Sequence, residues 1–333
     1  MKRVGNLMPL IADMENLREA FLRASKGKRG AWAVCEFEND LDNHLSDIQT
    51  QLLNGTLELP NYHFFYVNDP KRRLICAAPF QMRVVFHAVM RICHPVFDNY
   101  QISHSFASRK GLGQYKALEK AKQFCYRYKW FAKLDVVKYF DSIDHQVLKT
   151  QLRSLFKDVR LLNMFDNLID GYQRKTGRGL PIGNLTSQYF ANHYLSLNDH
   201  YVKNQMRVKA YLRYMDDMLL FGDCKEDLMR QVDEIIVFIS KSLKLELHVP
   251  IVNRTYFGVP FLGYVINDVG MRLNQRSRKR FKSKMAVLHK LLTDDIIDEK
   301  KYAERALCLH AFVSKADDLS FRCKMSRIKG LYP

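Results

Sequence analysis

The sequence predicts an α+β fold, because short strands that pair as hairpins and segments with helical periodicity both recur along its 333 residues. Residues 211–221 predict a hairpin in which the adjacent acids Asp216 and Asp217 separate an aromatic-rich run from an apolar one. Residues 62–77 predict a second hairpin, with a basic turn, and residues 228–245 predict a helix. The length suits one large or two medium domains with a substantial core.

The composition favours nucleic acid or an acidic surface as the partner, because 53 Lys and Arg against 35 Asp and Glu give a net charge of +18. No apolar run approaches membrane-spanning length, and the first residues lack the apolar core of a secretion signal. The seven cysteines are scattered and never spaced as C-x-x-C. We therefore expect reduced thiols in a cytoplasmic protein, without a zinc site, a disulfide framework or a membrane partner.

The first third of the chain predicts helices on either side of the basic hairpin. Helical spacing of apolar residues covers residues 8–28, 40–54 and 80–98, and Gly55 ends the second of these helices. The basic turn of the hairpin, residues 68–73, is either a solvated turn or a site for a triphosphate or a template backbone.

The next segment carries a third acid. An apolar strand over residues 130–134 leads directly into Asp135, and the aromatic pair Tyr139 and Phe140 follows. A carboxylate at a strand end is a candidate metal ligand. A helix then begins near Ser142 or Asp144, either of which could be its N-cap.

The second half adds a loop, short strands and a basic helix. Residues 177–186 form a Gly- and Pro-containing loop before a helix from residue 187, and could line a nucleotide pocket. Short strands are predicted at residues 245–249 and 261–266, with a turn at residues 258–260. From residue 272 a basic amphipathic helix follows, and then helices over residues 302–312 and 319–328. A solvated face and a membrane surface are alternatives for the basic helix, but the net charge favours a nucleic-acid backbone.

The three acids together indicate phosphoryl chemistry. Two carboxylates at the end of an apolar hairpin cost free energy unless they are paired or bind a metal, although Asp also favours turns by itself. Asp135 adds a third ligand from a distant segment. Two-metal phosphoryl transfer requires such a set of carboxylates, and the basic charge indicates that the substrate is nucleic acid.

Several blocks resemble those of reverse transcriptases, in the bacterial and group II intron branch. They are Tyr214-Met-Asp-Asp217, Lys133-Leu-Asp135 with residues 140–145, Arg73-Leu-Ile with Pro79, residues 105–113, and Phe261-Leu-Gly-Tyr264. The resemblance implies a right-hand polymerase: fingers and a palm with an antiparallel sheet in residues 1–270, including a helical extension over about residues 1–60. It implies a short basic helical thumb in residues 271–333.

The resemblance also implies site residues. Asp135 and Asp216 would ligate two Mg²⁺ ions, with Mn²⁺ as an alternative ion, and Asp217 would support one of them. The incoming dNTP would be bound by Lys71, Arg72 and Arg73, with Phe140 as the steric gate against the ribose 2′-OH and with Ile182, Gly183 and Gln188 around the pocket. Leu262, Gly263 and Tyr264 would grip the primer. The thumb cations that would contact the nucleic-acid backbone are Arg276, Arg278, Lys279, Arg280, Lys282 and Lys284.

One block resembles a particular branch. Residues 180–188 read Leu-Pro-Ile-Gly-Asn-Leu-Thr-Ser-Gln, with Ile182 where most reverse transcriptases have Gln. This form is similar to the reverse transcriptases of diversity-generating retroelements. It implies error-prone copying of a template-repeat RNA into cDNA, with misincorporation opposite adenine, for mutagenic retrohoming. It also implies a small basic accessory protein in a ribonucleoprotein and a bacterial or phage origin. Because Ile182 cannot form the hydrogen bonds of a Gln, we expect it to lower fidelity.

Two positions depart from the family pattern, and other functions remain open. The family's Lys after the catalytic hairpin is absent, so His248 or Arg254 replaces it, or pyrophosphate leaves without side-chain protonation. Met82 stands where relatives often have Asp. The alternatives are an antiphage or group II intron-derived reverse transcriptase, and a catalytically inactive RNA-binding scaffold.

Overall fold

The computed structural model describes residues 2–58, 61–68, 72–317 and 321. The chain divides into two compact units. Unit 1 comprises Met1–Gly111, Asp135–Lys209 and Asp233–His248, and unit 2 comprises Leu112–Leu134, Ala210–Val232 and Val249–Pro333. Each unit therefore draws on three separate stretches of the sequence.

The described residues form helices and short strands throughout. The helices are α1 (Met8–Ile11), α2 (Met14–Ser25), α3 (Trp32–Asn39), α4 (Leu41–Asn54), α5 (Phe80–Tyr100), α6 (Gln114–Arg127), α7 (Tyr139–Ser142), α8 (His145–Leu155), α9 (Val159–Asp170), α10 (Leu185–Tyr194), α11 (Ser196–His200), α12 (Lys225–Leu243), α13 (Gln275–Thr293) and α14 (Glu299–Val313). A π-helical turn (Tyr201–Gln205) follows α11, and a 3₁₀ turn (Thr255–Phe257) precedes β7. The strands are β1 (His63–Asn68), β2 (Arg72–Ala77), β3 (Trp130–Leu134), β4 (Tyr211–Tyr214), β5 (Asp217–Gly222), β6 (Ile251–Arg254), β7 (Val259–Phe261), β8 (Tyr264–Ile266) and β9 (Met271–Leu273).

The predicted helix over residues 8–28 is two helices, because Asp13 begins a new one. The Asp13 carboxylate accepts hydrogen bonds from the backbone N–H groups of Glu15 and Asn16, which is N-cap geometry for α2. Asn16 is buried and donates to the carbonyls of Ile11 and Ala88. These bonds connect α1, α2 and α5 in unit 1.

The predicted basic hairpin is confirmed in unit 1. Strands β1 and β2 pair antiparallel from His63–Ala77 to Asn68–Arg72. Every residue of β1 is exposed, whereas Cys76 of β2 is fully buried. Lys71, at the turn, lies outside the described residues.

The described residues of unit 2 form two antiparallel sheets. The first has the strand order β4-β5-β3-β6, and the second has the order β7-β8-β9. The central strands β3 and β5 are rich in apolar side chains and are mostly buried, whereas three of the four residues of β6, an edge strand, are exposed. The predicted domain boundary at residue 270/271 stays a prediction, and β9 next to it pairs with β8.

One strand prediction and one turn prediction are wrong. Residues 245–249 contain only an isolated bridge between Leu247 and Val136, and the strand that pairs with β3 on the side away from β5 is β6. The turn predicted at residues 258–260 is instead at Leu262 and Gly263, whose φ angles are +46° and +89°. Both errors have one cause: short apolar runs fit several registers, and pairing with β3 or β8 selects one of them.

The predicted basic helix is confirmed as α13, and the helix predicted at residues 302–312 as α14. The helix predicted over residues 319–328 lies outside the described residues, apart from Phe321. Among the described helices, none combines the length and apolar character that crossing a membrane requires.

Candidate active site

The two adjacent acids lie at a tight turn between β4 and β5. Tyr214 pairs with Asp217, so Met215 and Asp216 form a two-residue turn and Asp217 begins β5. Met215 has a φ of +54°, a left-handed conformation that costs free energy for a residue with a side chain. This turn therefore needs support from its surroundings.

Arg213 provides part of that support. It is a fully buried arginine in β4, and its Nη1 donates a hydrogen bond of 2.9 Å to the Met215 carbonyl. A buried guanidinium is costly unless it is hydrogen-bonded, and bonds from a charged donor are the strong ones. Arg213 is not among the site residues predicted from the sequence, although a lone arginine in an otherwise apolar and aromatic strand is a usable signal.

Asp217 is paired with a lysine from the neighbouring strand. The Asp217 Oδ1 lies 2.8 Å from the Lys133 Nζ, and both side chains are mostly shielded from solvent. β3 pairs antiparallel with β5, so that Leu134 is opposite Met218. Asp135 is the residue directly after Leu134, and its carbonyl accepts a 2.9 Å hydrogen bond from the His248 backbone N–H.

The chemistry of these acids fits a hard divalent cation. Mg²⁺ takes oxygen ligands and is commonly held by one or two carboxylates together with substrate phosphates, rather than by a cage made only of protein. Asp216 and Asp217 are half-buried carboxylates at one turn. In the described part of the chain no group of three or more His, Cys, Asp or Glu side chains is arranged to hold a metal ion. The acid pair thus suits an ion that arrives with its substrate.

The loop that carries Ile182 lies in unit 1 and is held by backbone hydrogen bonds. The Leu180 N–H donates to the Phe140 carbonyl (2.8 Å), and the Gly179 N–H donates to the Ile143 carbonyl (2.9 Å). On the other side, the Cys76 N–H of β2 donates to the Ile182 carbonyl (2.8 Å). Unit 1 thus brings Ile182 and the backbone of Phe140 into one bonded network with β2.

Gly183 suits this close approach. Its φ is +118°, and a Cβ placed there would lie 3.0 Å from Ile75 Cγ2 and 3.3 Å from the Cys76 carbonyl oxygen. Both the backbone conformation and the close packing therefore disfavour a residue with a side chain.

His145 also supports the loop that carries Ile182. It is buried, its Nε2 lies 2.8 Å from the Gly179 carbonyl, and its backbone N–H donates to the Gly177 carbonyl at 3.0 Å. The neighbouring Asp144 caps α8 by accepting from the Val147 N–H, as predicted, and also accepts from Lys244 Nζ at 3.0 Å. Burial alone would raise the pKa of Asp144, but the Val147 amide and Lys244 outweigh it and lower the pKa below its usual value.

A cavity of about 300 Å³ adjoins the loop in unit 1. Its apolar lining includes Phe65 and Phe86, and its polar lining consists of Lys28, Arg83, His87 and Asn184. Burial, followed by the nearby cations Arg23 and Lys28, lowers the pKa of His87. The buried Nδ2 of Asn184 has no hydrogen-bond partner among the residues that the structure describes. This lining, with two cations and an unpaired donor, favours a ligand rich in hydrogen-bond acceptors.

The remaining predicted pocket residues are placed as follows. Phe140 is half-buried, whereas Tyr139 is buried and its hydroxyl donates to the Ala191 carbonyl.

Arg72 and Arg73 are exposed on β2, and the Arg72 guanidinium lies 4.0 Å from the centre of the Tyr66 ring. Gln188 is exposed on α10. None of these positions tests a nucleotide contact, so the roles stay predictions.

The predicted primer-grip residues form the turn between β7 and β8. The Leu262 carbonyl accepts from Gln114 Nε2 at 3.1 Å, and a Cβ on Gly263 would lie 2.8 Å from Ser277 Oγ. Tyr264 is fully buried, and its hydroxyl donates to the Phe312 carbonyl. The side chain of Tyr264 therefore supports the turn from within unit 2, and the primer contact of Leu262, Gly263 and Tyr264 stays a prediction.

Arg254 does not stand near the acid turn, which removes one of the alternatives for protonating pyrophosphate. It pairs with Trp130 at the start of β3, and Trp130 pairs with Gly222, the last residue of β5. Asp217 is the first residue of β5, which at about 3.4 Å per residue places the two ends of the strand roughly 17 Å apart. Met82, the other departure, is buried in α5.

The predicted thumb cations lie on α13. Arg276, Lys279, Arg280, Lys282 and Lys284 are exposed. Arg278 is half-buried, and its guanidinium lies 5.4 Å from the centre of the Phe321 ring. A contact of this helix with nucleic acid stays a prediction.

Comparison with known sequences identifies the fold of the core. The family described as "Reverse transcriptase (RNA-dependent DNA polymerase)" matches residues 68–266. The "Putative COX1/OXI3 intron 1 protein" of Saccharomyces cerevisiae is 23% identical over 218 residues, which cover 61% of this chain and 26% of that protein. The "Putative COX1/OXI3 intron 2 protein" of the same yeast is 26% identical over 130 residues, which cover 37% of this chain and 15% of that protein. This chain thus spans about a quarter or less of these relatives.

A solved structure with a TM-score above 0.5 supports the fold. The structure of apo telomerase from Candida tropicalis has a TM-score of 0.51 at 12% identity and covers 65% of this chain and 49% of its own. A telomerase from Candida albicans, in complex with a fragment of telomeric RNA, has a TM-score of 0.49 at 14% identity and covers 70% of this chain and 51% of its own. The antiparallel sheets and surrounding helices are those of a right-hand polymerase.

Proposed function

This chain belongs to the reverse transcriptase family, and we propose that it copies a template-repeat RNA into cDNA with low fidelity at template adenines. Its activity as an RNA-directed DNA polymerase follows from the family match over residues 68–266. Reverse transcriptase domains use divalent metal ions. The template class, the error-prone copying and the use of Mg²⁺ are the parts that we propose.

The observation that carries the catalytic part is the acid turn of unit 2. Asp216 and Asp217 lie at a strained two-residue turn that the buried Arg213 contacts. As the resemblance implies, Asp135 and Asp216 would ligate two Mg²⁺ ions and Asp217 would support one of them. When bound, such ions would stabilise the charge on the attacking and leaving oxygens. Lys133 balances the charge of Asp217 (2.8 Å) and keeps its carboxylate oriented.

The observation that carries the error-prone part is the position of Ile182. Its backbone is fixed between β2 and the segment that contains Phe140, beside the close approach of Gly183 to Ile75. An isoleucine fixed in such a place fills space but cannot read a hydrogen-bonding pattern, which is worth about 1–3 kcal/mol per well-paired base. Weak discrimination of template bases follows from that loss.

The proposed partners follow from the same function. Template RNA, dNTPs and the cDNA product are bound by a chain of net charge +18, whose basic α13 is available for backbone contacts. The cavity with Lys28, Arg83 and Asn184 favours acceptor-rich ligands and so supports nucleotide binding in unit 1. A small basic accessory protein within a ribonucleoprotein completes the proposal.

A group II intron-derived reverse transcriptase is the second candidate, because the two yeast relatives are named as intron proteins. The two candidates differ in the expected error pattern. Copying that is error-prone at template adenines supports the diversity-generating assignment, and uniformly accurate copying supports the intron-derived one.

The catalytic proposal is tested by primer extension on an RNA template with purified protein. Asp216→Asn should reduce the extension rate at least about 10³-fold without unfolding the protein, because a neutral amide is a poor ligand for a hard cation. Asp268→Asn, the same change at an exposed turn in unit 2, is the matched control and should retain full activity. Extension by Asp216→Asn at the wild-type rate would contradict the role of this acid.

The fidelity proposal is tested by sequencing cDNA made from a template with evenly spaced adenines. Ile182→Gln should lower misincorporation opposite adenine by about tenfold, because a polar reader is restored. Ile296→Gln, the same change at an exposed isoleucine, is the control and should leave the error spectrum unchanged. An unchanged error frequency in Ile182→Gln would remove this residue from the explanation.

A further inference from the structure

A surface of exposed rings and cations lies in unit 2, at the end of the sheet where β3 begins. We call it the aromatic–basic surface and define it by Lys129, Trp130, Lys225, Arg254, Tyr256 and Phe257. Trp130 is half-buried and pairs with Gly222 of β5 and Arg254 of β6. The Arg254 guanidinium lies 5.3 Å, and the Lys225 ammonium 5.6 Å, from the centre of the Trp130 ring system. Two cations thus share one aromatic platform.

The two other rings are held outward by a buried anchor. Thr255 is buried, and its Oγ1 donates to the Tyr128 carbonyl at 2.7 Å while its backbone N–H donates to the Lys129 carbonyl at 2.9 Å. The next residues, Tyr256 and Phe257, are 70% and 64% exposed, with ring centroids 5.7 Å apart. Two adjacent aromatic rings on an anchored turn leave apolar area in water that folding does not use, which marks a binding surface.

The charge around these rings is mainly positive. Lys129, Lys225 and Arg254 are exposed, and so is the neighbouring Arg127. The nearby acids are partly engaged: Asp223 accepts from the Lys129 backbone N–H, Asp227 pairs with Arg230, and Glu226 accepts from the Cys224 thiol. The surface therefore offers cations to a polyanion and ring faces to planar groups.

The position of the surface separates it from the acid turn. Trp130 pairs with the last residue of β5, whereas Asp217 is the first residue of that strand, roughly 17 Å away along β5. A nucleic-acid segment bound at this surface is therefore not the part of the template that is being copied at the acid turn.

We propose that the aromatic–basic surface binds a single-stranded segment of RNA outside the catalytic centre. Exposed rings stack on unpaired bases of any sequence, and interspersed cations neutralise the phosphates between them. An open surface with cations suits an extended polyanion better than a small molecule, which needs a concave pocket. The inference rests on the proposed function only in taking RNA as the bound strand. It gives this enzyme a second binding site for the RNA that it copies.

The test measures binding of a fluorescent 15-nucleotide oligouridylate to full-length protein already saturated with a template–primer duplex. The double variant Tyr256→Ala/Phe257→Ala should weaken binding about tenfold or more, since stacking on one ring is worth that much per base. Arg254→Gln should reduce the slope of log affinity against log salt by about 0.7, as expected for the loss of one phosphate contact to a single strand. Trp32→Ala, at another highly exposed ring (77%), is the control and should bind as wild type does.

Three further measurements make the outcome decisive. Circular dichroism and the melting temperature should match those of wild type, because the altered rings are exposed. Crosslinking of 4-thiouridine RNA to the wild-type protein should label the peptide that contains Tyr256 and Phe257. Asp216→Asn should lose primer extension yet bind the oligouridylate normally, so failure of the catalytic proposal and failure of this one give different results. Unchanged affinity in the folded double variant, with no crosslink at this peptide, would overturn the proposal and leave a protein partner as the alternative.

Discussion

The hairpin that carries Asp216 and Asp217 takes its shape from its own neighbours, whereas the loop that carries Ile182 takes its shape from distant residues. In the hairpin, the register of β4 with β5 places the acids, and Arg213 contacts the Met215 carbonyl only two residues away. In the loop, the bonds come from β2, the segment that contains Phe140, and His145. A substitution inside the hairpin should therefore disturb the hairpin directly. The loop should instead be sensitive to substitutions that move it away from β2, from the segment that contains Phe140 or from His145.

The largest effect is expected at Arg213, which tests the local character of the hairpin. Arg213→Leu removes a buried charged donor, so the free energy of unfolding should fall by about 1.5–3 kcal/mol. Primer extension should fall further than the folded fraction does, because the acid turn loses its support. Urea denaturation and extension rates measure the two effects, and Arg272→Leu, at an exposed arginine of β9, should change stability little. Equal stability of Arg213→Leu and wild type would show that the turn stands without this arginine.

A smaller effect is expected at Gly183, which tests the distant supports of the loop. Gly183→Ala meets Ile75 and Cys76 and requires an unfavourable φ of +118°, so it should cost about 1–3 kcal/mol and lower kcat/KM for dNTPs about tenfold. Gly55→Ala is a matched control, because Gly55 also has a positive φ (+71°) but no atom lies within 4 Å of its added Cβ. Steady-state extension kinetics separate the two variants. If both variants keep wild-type kcat/KM, close packing against β2 does not shape the nucleotide pocket.

The smallest effect is expected at Lys244, which stabilises the Asp144 cap below the loop. Because the pKa of Asp144 is lowered in the folded state, its ionised form stabilises the fold above the unfolded pKa of about 3.9, and this contribution is lost as the pH falls through the folded value. Lys244→Gln should therefore cost at most about 1 kcal/mol at pH 7, with the difference from wild type shrinking below about pH 4. Urea denaturation at several pH values measures this, and Lys241→Gln on the exposed side of α12 should show no such dependence. A cost that stays constant down to pH 3 would rule out the ion pair as its source.

Much of the candidate site could be predicted from the sequence because its signals are local. The acid pair between two apolar runs, the strand that ends before Asp135, and the cap at Asp144 each depend on a few adjacent residues. The amphipathic pattern of α13 and the short β-rich runs on either side of the basic turn of the β1–β2 hairpin are local in the same way.

The wrong strand and turn predictions fall where several short segments of the sequence were equally able to form a strand. The segment after α12 contains more than one short run able to form a strand, and only pairing with β3 selected Ile251–Arg254. The same pairing moved Arg254 away from the acid turn and onto Trp130, where it joins the aromatic–basic surface. The supports of the Ile182 loop could not be predicted either, because a backbone hydrogen bond to Cys76 leaves no mark on either residue type.

The sequence by itself determined the helices and hairpins, the acids at a turn, the basic charge and the Ile at position 182, because periodicity, charge and turn preferences act over a few residues. The tertiary structure alone decided that Arg213 is buried beside the acid turn, that Gly183 meets Ile75, and that Tyr256 and Phe257 stay exposed above an anchored turn. The physical reason is that burial and hydrogen bonding between distant segments depend on strand register and packing, which many short apolar runs satisfy equally well until the whole chain is assembled.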